Sequence, residues 1–234
     1  MATFVLVHGA WHGGWCWQRV APALRRAGHE VYAPSLTGLG ERRHLGGPQV
    51  NLDTHIEDVA GLIEMEGLAQ VILLGHSYGG MVVTGVADRM AGRIAHLIYL
   101  DAFVPENGRC LLDYAVPERA ARMREEGERT GAVSPPPMSL WGLSQPQDLA
   151  FVEPREVPHP YATMCQKIRL TGQVQVPRTF IYCSAPATGS FDQFAAKYRN
   201  DPAWSFHELK TGHDAMLLMP LALTQILLQK TELR

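Results

Sequence analysis

Cysteine is scarce in this chain: four in 234 residues, at Cys16, Cys110, Cys165 and Cys183, with no CxxC pair among them. That spacing fits neither a zinc site nor a dense disulfide framework, so free thiols in a reducing compartment are expected. Excess charge of either sign is also missing. Lys plus Arg total 21 against 23 Asp plus Glu, a net charge of −2, which removes the electrostatic case for nucleic acid or an anionic membrane surface. No apolar run is long enough to span a bilayer. The opening "ATFVLVHG" has no basic leader and is too short for a signal sequence, so a cytoplasmic location is expected. Internal repeats are absent, and the only low-complexity tract is Pro135–Pro137. What remains is a chain that is 46% hydrophobic, which suits one globular domain with a sizeable core and a small molecule as its partner.

Short apolar runs recur at Phe4–Val7, Val31–Ala33, Val71–Leu74, Leu97–Leu100, Thr179–Tyr182 and Ser205–Leu209. Bounded by Gly and Pro, they read as buried parallel strands. Between the second and third runs, Ile56, Val59, Ala60 and Ile63 fall at helical spacing. Leu223, Ile226 and Leu227 repeat that spacing behind Pro220. Alternating strands and helices predict an α/β fold with a doubly wound, mostly parallel sheet of about six strands. The alternation breaks after the fourth strand. Residues 103–172 hold a charged helical stretch, several prolines and the apolar residues Trp141, Leu149, Phe151, Tyr161 and Met164, more apolar surface than a linker needs. A core of residues 1–102 and 173–234 with a cap of residues 103–172 is therefore expected.

"VILLGHSYGG" sets Gly75-His76-Ser77-Tyr78-Gly79 after an apolar strand and before "MVVTGVADRM", which can be helical. This is the context of a G-x-S-x-G nucleophile elbow, in which a strained turn exposes the serine Oγ at the carboxyl end of the sheet. A serine hydroxyl needs a base, and the chain order serine, acid, histidine leaves His96, His159, His207 and His213 after Ser77. Only His213, in "KTGHDAM", occupies a loop between the last strand and the C-terminal helix. His76 reads as a packing or hydrogen-bonding residue of the elbow. Charge developing on a substrate carbonyl oxygen calls for amide donors. The Tyr78 N–H supplies one, and the glycine-rich loop "HGAWHGGW" supplies the other, with Ala10 the best placed. Trp11 is the aromatic of that loop expected to face a ligand. His8 and His12 share a four-residue spacing, but the glycines between and after them argue against a metal pair on a helix.

"FVLVHGAWHGGWCW", "GHSYGG", "YLDAFVPENG" and "TGHDAMLLMP" together resemble the α/β-hydrolase superfamily, and more closely its branch of bacterial carboxylesterases, plant methylesterases and hydroxynitrile lyases. The resemblance spans essentially the whole chain. It implies a cofactor-free and metal-free esterase working through an acyl-enzyme, with Ser77 as nucleophile, His213 as base, and the Ala10 and Tyr78 amides as oxyanion donors. Two positions depart from the branch. Its lyases place threonine after the first-strand histidine and lysine after the catalytic histidine, where this chain has Gly9 and Asp214. Hydrolysis is thereby favoured over cyanohydrin cleavage. The plant members also place their acid just after the strand equivalent to Thr179–Tyr182, a window that reads Cys183-Ser184-Ala185-Pro186-Ala187 here. Asp192 comes later, where a helix starts and where a first-turn acid is ordinary. Asp101 stands at the carboxyl end of the preceding strand and is the preferred acid, with Asp192 or a serine–histidine dyad as alternatives. Trp11, Phe103, Trp141 and Tyr161 are the candidate substrate-binding residues, lining an apolar pocket for a small to medium apolar or aromatic ester. A lactone or thioester hydrolase, a lyase-like enzyme and a non-turnover ligand receptor remain alternatives on the same scaffold. The charged helix over Pro117–Glu126 could pack on a partner as a homodimer, but a charged, solvated face is the commoner explanation.

Overall fold

Strands that are apolar along their whole length have no face fit for water, so they come to rest in the middle of a parallel sheet with helices on both sides. The computed structural model, which describes residues 1–172 and 174–231, follows that rule. Its main sheet uses β1 (Thr3–Val7), β2 (Glu30–Tyr32), β3 (Val71–His76) and β4 (Ile94–Leu100). A two-residue antiparallel ladder, β5 (Ala132–Val133) with β6 (His159–Pro160), stands apart, and β7 (Arg178–Cys183) and β8 (Trp204–Leu209) complete the main sheet. The order is β2-β1-β3-β4-β7-β8, and every neighbouring pair is parallel. All six residues of β3 are buried. Full burial of side chains such as Ile72, Leu73 and Leu74 is worth about 1.5–3 kcal/mol each, which makes this strand the anchor of the core.

The helices are α1 (Ala21–Arg26), α2 (Leu52–Met65), α3 (Gly79–Arg89), α4 (Pro117–Thr130), α5 (Pro146–Val152), α6 (Tyr161–Cys165), α7 (Asp192–Tyr198), α8 (Ala215–Leu218) and α9 (Pro220–Gln229). The Asn51 side chain accepts the Thr54 N–H at 3.0 Å to cap α2, whose buried face includes Ile56, Val59, Ala60 and Ile63, the stripe read from the sequence. Pro220 occupies the first turn of α9, which buries Leu223 and Leu227 and leaves Ile226 half-buried. Helix α4 runs four residues beyond the predicted Pro117–Glu126, ending where Gly131 takes φ 78° and donates its N–H to the Gly127 carbonyl. It buries Ala120, Met123 and Gly127 and turns most of its charged residues outward, with Arg119 and Glu126 half-buried.

Everything between β4 and β7, including α4 to α6 and the β5/β6 ladder, lies outside the main sheet. Several hydrogen bonds tie this insertion down, two of them close to the loops after β1 and β8. The Trp11 Nε1–H donates to the Val133 carbonyl at 2.8 Å, and the His213 N–H donates to the Trp141 carbonyl at 3.0 Å. The chain leaves β1 toward β2 on one side and enters β3 on the other, so the loops after β1 and β3 diverge. Ligands of open α/β sheets bind in the crevice that such a reversal opens, and the loops in question hold Ala10, Trp11 and Ser77.

Candidate active site

Four non-glycine residues among those described have positive φ: Trp11 at 64°, Gln70 at 54°, Ser77 at 54° and Asp101 at 42°. Such backbone costs about 1–3 kcal/mol per residue and persists only where its surroundings enforce it; three of the four stand at the carboxyl ends of β1, β3 and β4. At Ser77 the enforcement is visible. Its N–H donates to the Leu100 carbonyl at 3.2 Å, and its carbonyl accepts from Gly80 at 3.1 Å and Phe103 at 3.2 Å. A Cβ on Gly79 would stand 2.8 Å from the His8 carbonyl oxygen, so only glycine lets α3 begin directly against β1. A Cβ on Gly9 would approach both the Ser77 Cβ and the His76 Nδ1 to 2.9 Å. The absence of a side chain there is what leaves room for the serine.

His213 follows β8 and lies 2% exposed over the sheet. Its Nδ1 is 2.6 Å from Asp101 Oδ2, and the Cys183 N–H donates to Asp101 Oδ1 at 3.1 Å. With the Nδ1–H given to the carboxylate, the lone pair of the neutral ring is on Nε2. The positive φ of Asp101 turns its carboxylate out of the strand line, while its own N–H donates to the Ile181 carbonyl at 2.7 Å. Asp192 is elsewhere: it is exposed in the first turn of α7 and accepts the Tyr182 hydroxyl at 2.7 Å. Three rings surround the imidazole. Phe191 stacks on it at 5.0 Å and 8°, Trp141 leans at 4.7 Å, and His76 lies at 4.4 Å. Burial among them lowers the His213 pKa to about 4, against the pull of Asp214, so the ring is unprotonated at neutral pH. Burial also pushes the Asp101 carboxyl upward, and the Cys183 amide opposes that shift.

Ala10 and Tyr78 bring two backbone amides to the same end of the sheet, and among the described residues neither N–H has a hydrogen-bond partner. The next amide along, that of Trp11, is spent on His159 Nδ1 at 3.3 Å. The Tyr78 side chain is occupied away from the site, its hydroxyl 2.8 Å from His55 Nδ1. A second set of buried charges lies behind the imidazole. His12 donates from Nδ1 to the Ala10 carbonyl at 2.9 Å, and its Nε2 is 3.4 Å from Asp214 Oδ2. Burial works against the charge on His12, but Asp214 prevails and raises it to about 9; Asp214, also disfavoured by burial, is held by His12 at about 2. The ion pair thus joins the loop holding Ala10 to the loop holding His213. His76 Nε2, 3.2 Å from the His213 carbonyl and 3.7 Å from Asp214 Oδ1, completes the cluster, and burial holds His76 neutral. His76, His213 and Asp214 bring possible metal-ligating atoms within 4.8 Å of one another. Asp101 and His12, however, already engage His213 and Asp214. His8 is spent as well, accepting the Leu36 N–H on Nε2 at 3.0 Å.

Ser77 opens into a nearly apolar cavity of about 30 Å³, lined in part by Ala10, Trp11, Phe103, Met123, Trp141 and Met164. Of the four aromatic residues expected to bind substrate, Trp11, Phe103 and Trp141 are there. Tyr161 is not: its ring packs against Gly127 of α4, where only a glycine leaves space for it. Pattern reading also missed Phe191, Arg119 and the pairing of His12 with Asp214. Phe191 directly precedes the acid weighed as a candidate in the same segment. The other two depend on how the insertion and the β8–α8 loop fold back, which has no local signature.

The alpha/beta hydrolase family profile matches residues 4–226. Over 96% of this chain and 98% of its own length, a carbendazim-hydrolysing esterase from Nocardioides sp. (strain SG-4G) is 44% identical. Methyl jasmonate esterase 1 from Vitis vinifera is 36% identical over 44% of this chain and 40% of its own. Among solved structures, an extracellular alpha/beta-hydrolase from a Paenibacillus species superposes with a TM-score of 0.82 over 98% of both chains, at 24% identity. The chain belongs to the alpha/beta hydrolase family.

Proposed function

We propose that the protein is a serine hydrolase that cleaves carboxylic esters through an acyl-enzyme. Ser77 Oγ attacks the ester carbonyl, and His213 Nε2 takes the serine proton and passes it to the leaving alcohol. Asp101 holds the imidazole in the tautomer that keeps Nε2 basic and stabilises the cation formed during transfer. The Ala10 and Tyr78 amides receive the developing oxyanion, helped by the positive end of α3. Water, deprotonated by His213, then attacks the acyl-serine, and the acid leaves with Ser77 restored.

The observation that supports this reading most is the 2.6 Å contact between His213 and Asp101, two buried residues at the ends of separate strands, beside a serine on a strained elbow. The cavity favours an apolar or aromatic acyl or alcohol group. The insertion over residues 103–172 supplies Met123, Trp141 and Met164 to this cavity and so acts as a cap that shapes the space for substrate. The relative named for carbendazim hydrolysis favours a compact aromatic substrate over a long acyl chain. Gly9 and Asp214 disfavour lyase chemistry: a side chain at position 9 would crowd Ser77, and the residue after His213 is the carboxylate Asp214 rather than a lysine that could hold a leaving anion. No helix among the described residues is long and apolar enough to cross a membrane. The four cysteines are free thiols, as a reducing, cytoplasmic setting would keep them. The test is Ser77→Ala assayed on 4-nitrophenyl acetate. A fall of several orders of magnitude is expected, and a folded variant that retains activity would refute the proposal.

A further inference from the structure

The cavity beside Ser77 has one cationic side chain in its lining, that of Arg119 from the first turn of α4. Its placement is unusual for a surface helix residue. The guanidinium is half-buried, with Nη1 donating to Ser190 Oγ at 3.1 Å and Nη2 to the Thr188 carbonyl at 3.1 Å. Among the described residues no carboxylate lies within salt-bridge distance of it. A guanidinium has five N–H donors, so three are left over after those two bonds. Arg119 also borders a second, open groove of about 610 Å³, shared with Glu118, Arg122, Pro136, Pro137 and Leu140; Glu118 is not within salt-bridge distance of the guanidinium. It therefore stands where the reaction cavity and the surface groove meet. Its charge is felt at the imidazole, where it opposes protonation of His213.

A half-buried cation without a counter-charge is costly unless something supplies acceptors, and the Ser190 and Thr188 oxygens are neutral. We infer that Arg119 receives an oxygen acceptor of the substrate, a carboxylate or a carbonyl, at the end remote from the scissile ester. Rigid, forked donors suit such an oxygen better than a point charge would. The apolar wall of Trp141, Phe103 and Met123 takes the part between, and the groove is the route by which that end of the molecule enters. The preferred esters are then bifunctional: an apolar spacer with an ester at one end and a carboxylate or keto group at the other. This deepens the esterase proposal and rests on it.

Three chain-matched substrates separate the possibilities: 4-nitrophenyl hexanoate, 4-nitrophenyl 5-oxohexanoate and 4-nitrophenyl hydrogen adipate. In the wild type, kcat/KM for the adipate or the oxo ester should exceed that for the hexanoate at least tenfold, mostly through KM. In Arg119→Gln that ratio should drop tenfold or more; Arg119→Lys should keep part of it for the adipate only. Ratios within one variant do not depend on the fraction folded. A wild type that prefers the hexanoate, or a ratio unchanged in Arg119→Gln, would overturn the inference while leaving the esterase reading intact. A binding readout covers the opposite case. Phenylacetate should quench tryptophan fluorescence of Ser77→Ala, since Trp11 and Trp141 line the cavity, and Arg119→Gln on that background should weaken its Kd at least tenfold. Equal affinities would sink the role of Arg119 even if no ester were cleaved.

Discussion

Asp214→Asn isolates the buried ion pair behind the imidazole. The worth of the pair can be worked from either partner. His12 is raised from 6.5 to about 9, which corresponds to about 3 kcal/mol. Asp214 is lowered from 3.8 to about 2, or about 2 kcal/mol. The smaller figure is the better guide to the pair itself, because His12 also donates to the Ala10 carbonyl and lies 3.9 Å from Glu156 Oε1. Loss of about 2–3 kcal/mol in a domain of this size lowers Tm by about 4–12 °C. The direction with pH follows from the signs. The folded pKa of His12 lies above its unfolded value, so its contribution is full below pH 6.5 and fades as pH rises through about 9. Asp214 has the lower pKa in the folded state, so its contribution fades as pH falls toward 2. Urea unfolding of wild type and Asp214→Asn should therefore differ most between pH 5 and 7 and converge by pH 10. Equal stability at pH 7, or a gap that persists unchanged at pH 10, would refute the reasoning.

Other perturbations test the site more directly. Asp101→Asn should lower kcat by about 10⁴ through the wrong imidazole tautomer, whereas Asp192→Asn, which touches only Tyr182, should leave kcat within about twofold; the reverse ranking in steady-state assays would exchange the two acids. Since burial sets the His213 pKa at about 4, kcat/KM should stay level from pH 8 to about 5 and fall below about 4, and a midpoint near 6.5 would contradict a buried neutral base. Stability should decline over a related window. His8, at about 3, and His55, at about 4, are likewise buried uncharged, so the unfolded chain binds more protons as pH drops below 6.5, which denaturation midpoints at pH 7 and 5 would reveal. Gly9→Ala would set a methyl group 2.9 Å from the Ser77 Cβ and should lower kcat with little change in far-UV circular dichroism.

The fold was legible because buried parallel strands announce themselves as unbroken apolar runs. All six strands lie within three residues of those runs; the two weakest runs, the short Val31–Ala33 and Ser205–Leu209 with its Ser, His and Glu, are the edge strands Glu30–Tyr32 and Trp204–Leu209. The elbow is a local signal too, since its strained turn and flanking glycines are consecutive in sequence. The choice between Asp101 and Asp192 was harder, because two strand ends can reach one imidazole and only the turn of the backbone at Asp101, with φ at 42°, shows which does. Tyr161 was misread because an aromatic residue in an insertion can face the cavity or fill a gap between helices, and composition does not distinguish the two. Arg119 looked like one charge among many on a solvated helix; its position one turn from Met123, on the edge of the buried face of α4, became meaningful only once that helix lay over the cavity.

The central claim, a covalent acyl-enzyme on Ser77, is tested most directly by intact-mass spectrometry of protein quenched in acid within seconds of mixing with 4-nitrophenyl acetate. The account predicts a species heavier by one acetyl group, mapped by peptide digestion to the segment holding Ser77, absent from Ser77→Ala and accumulating in Asp101→Asn if deacylation is slowed more than acylation. Rapid 4-nitrophenol release by wild type with no adduct at Ser77, or turnover that survives in Ser77→Ala, would contradict it.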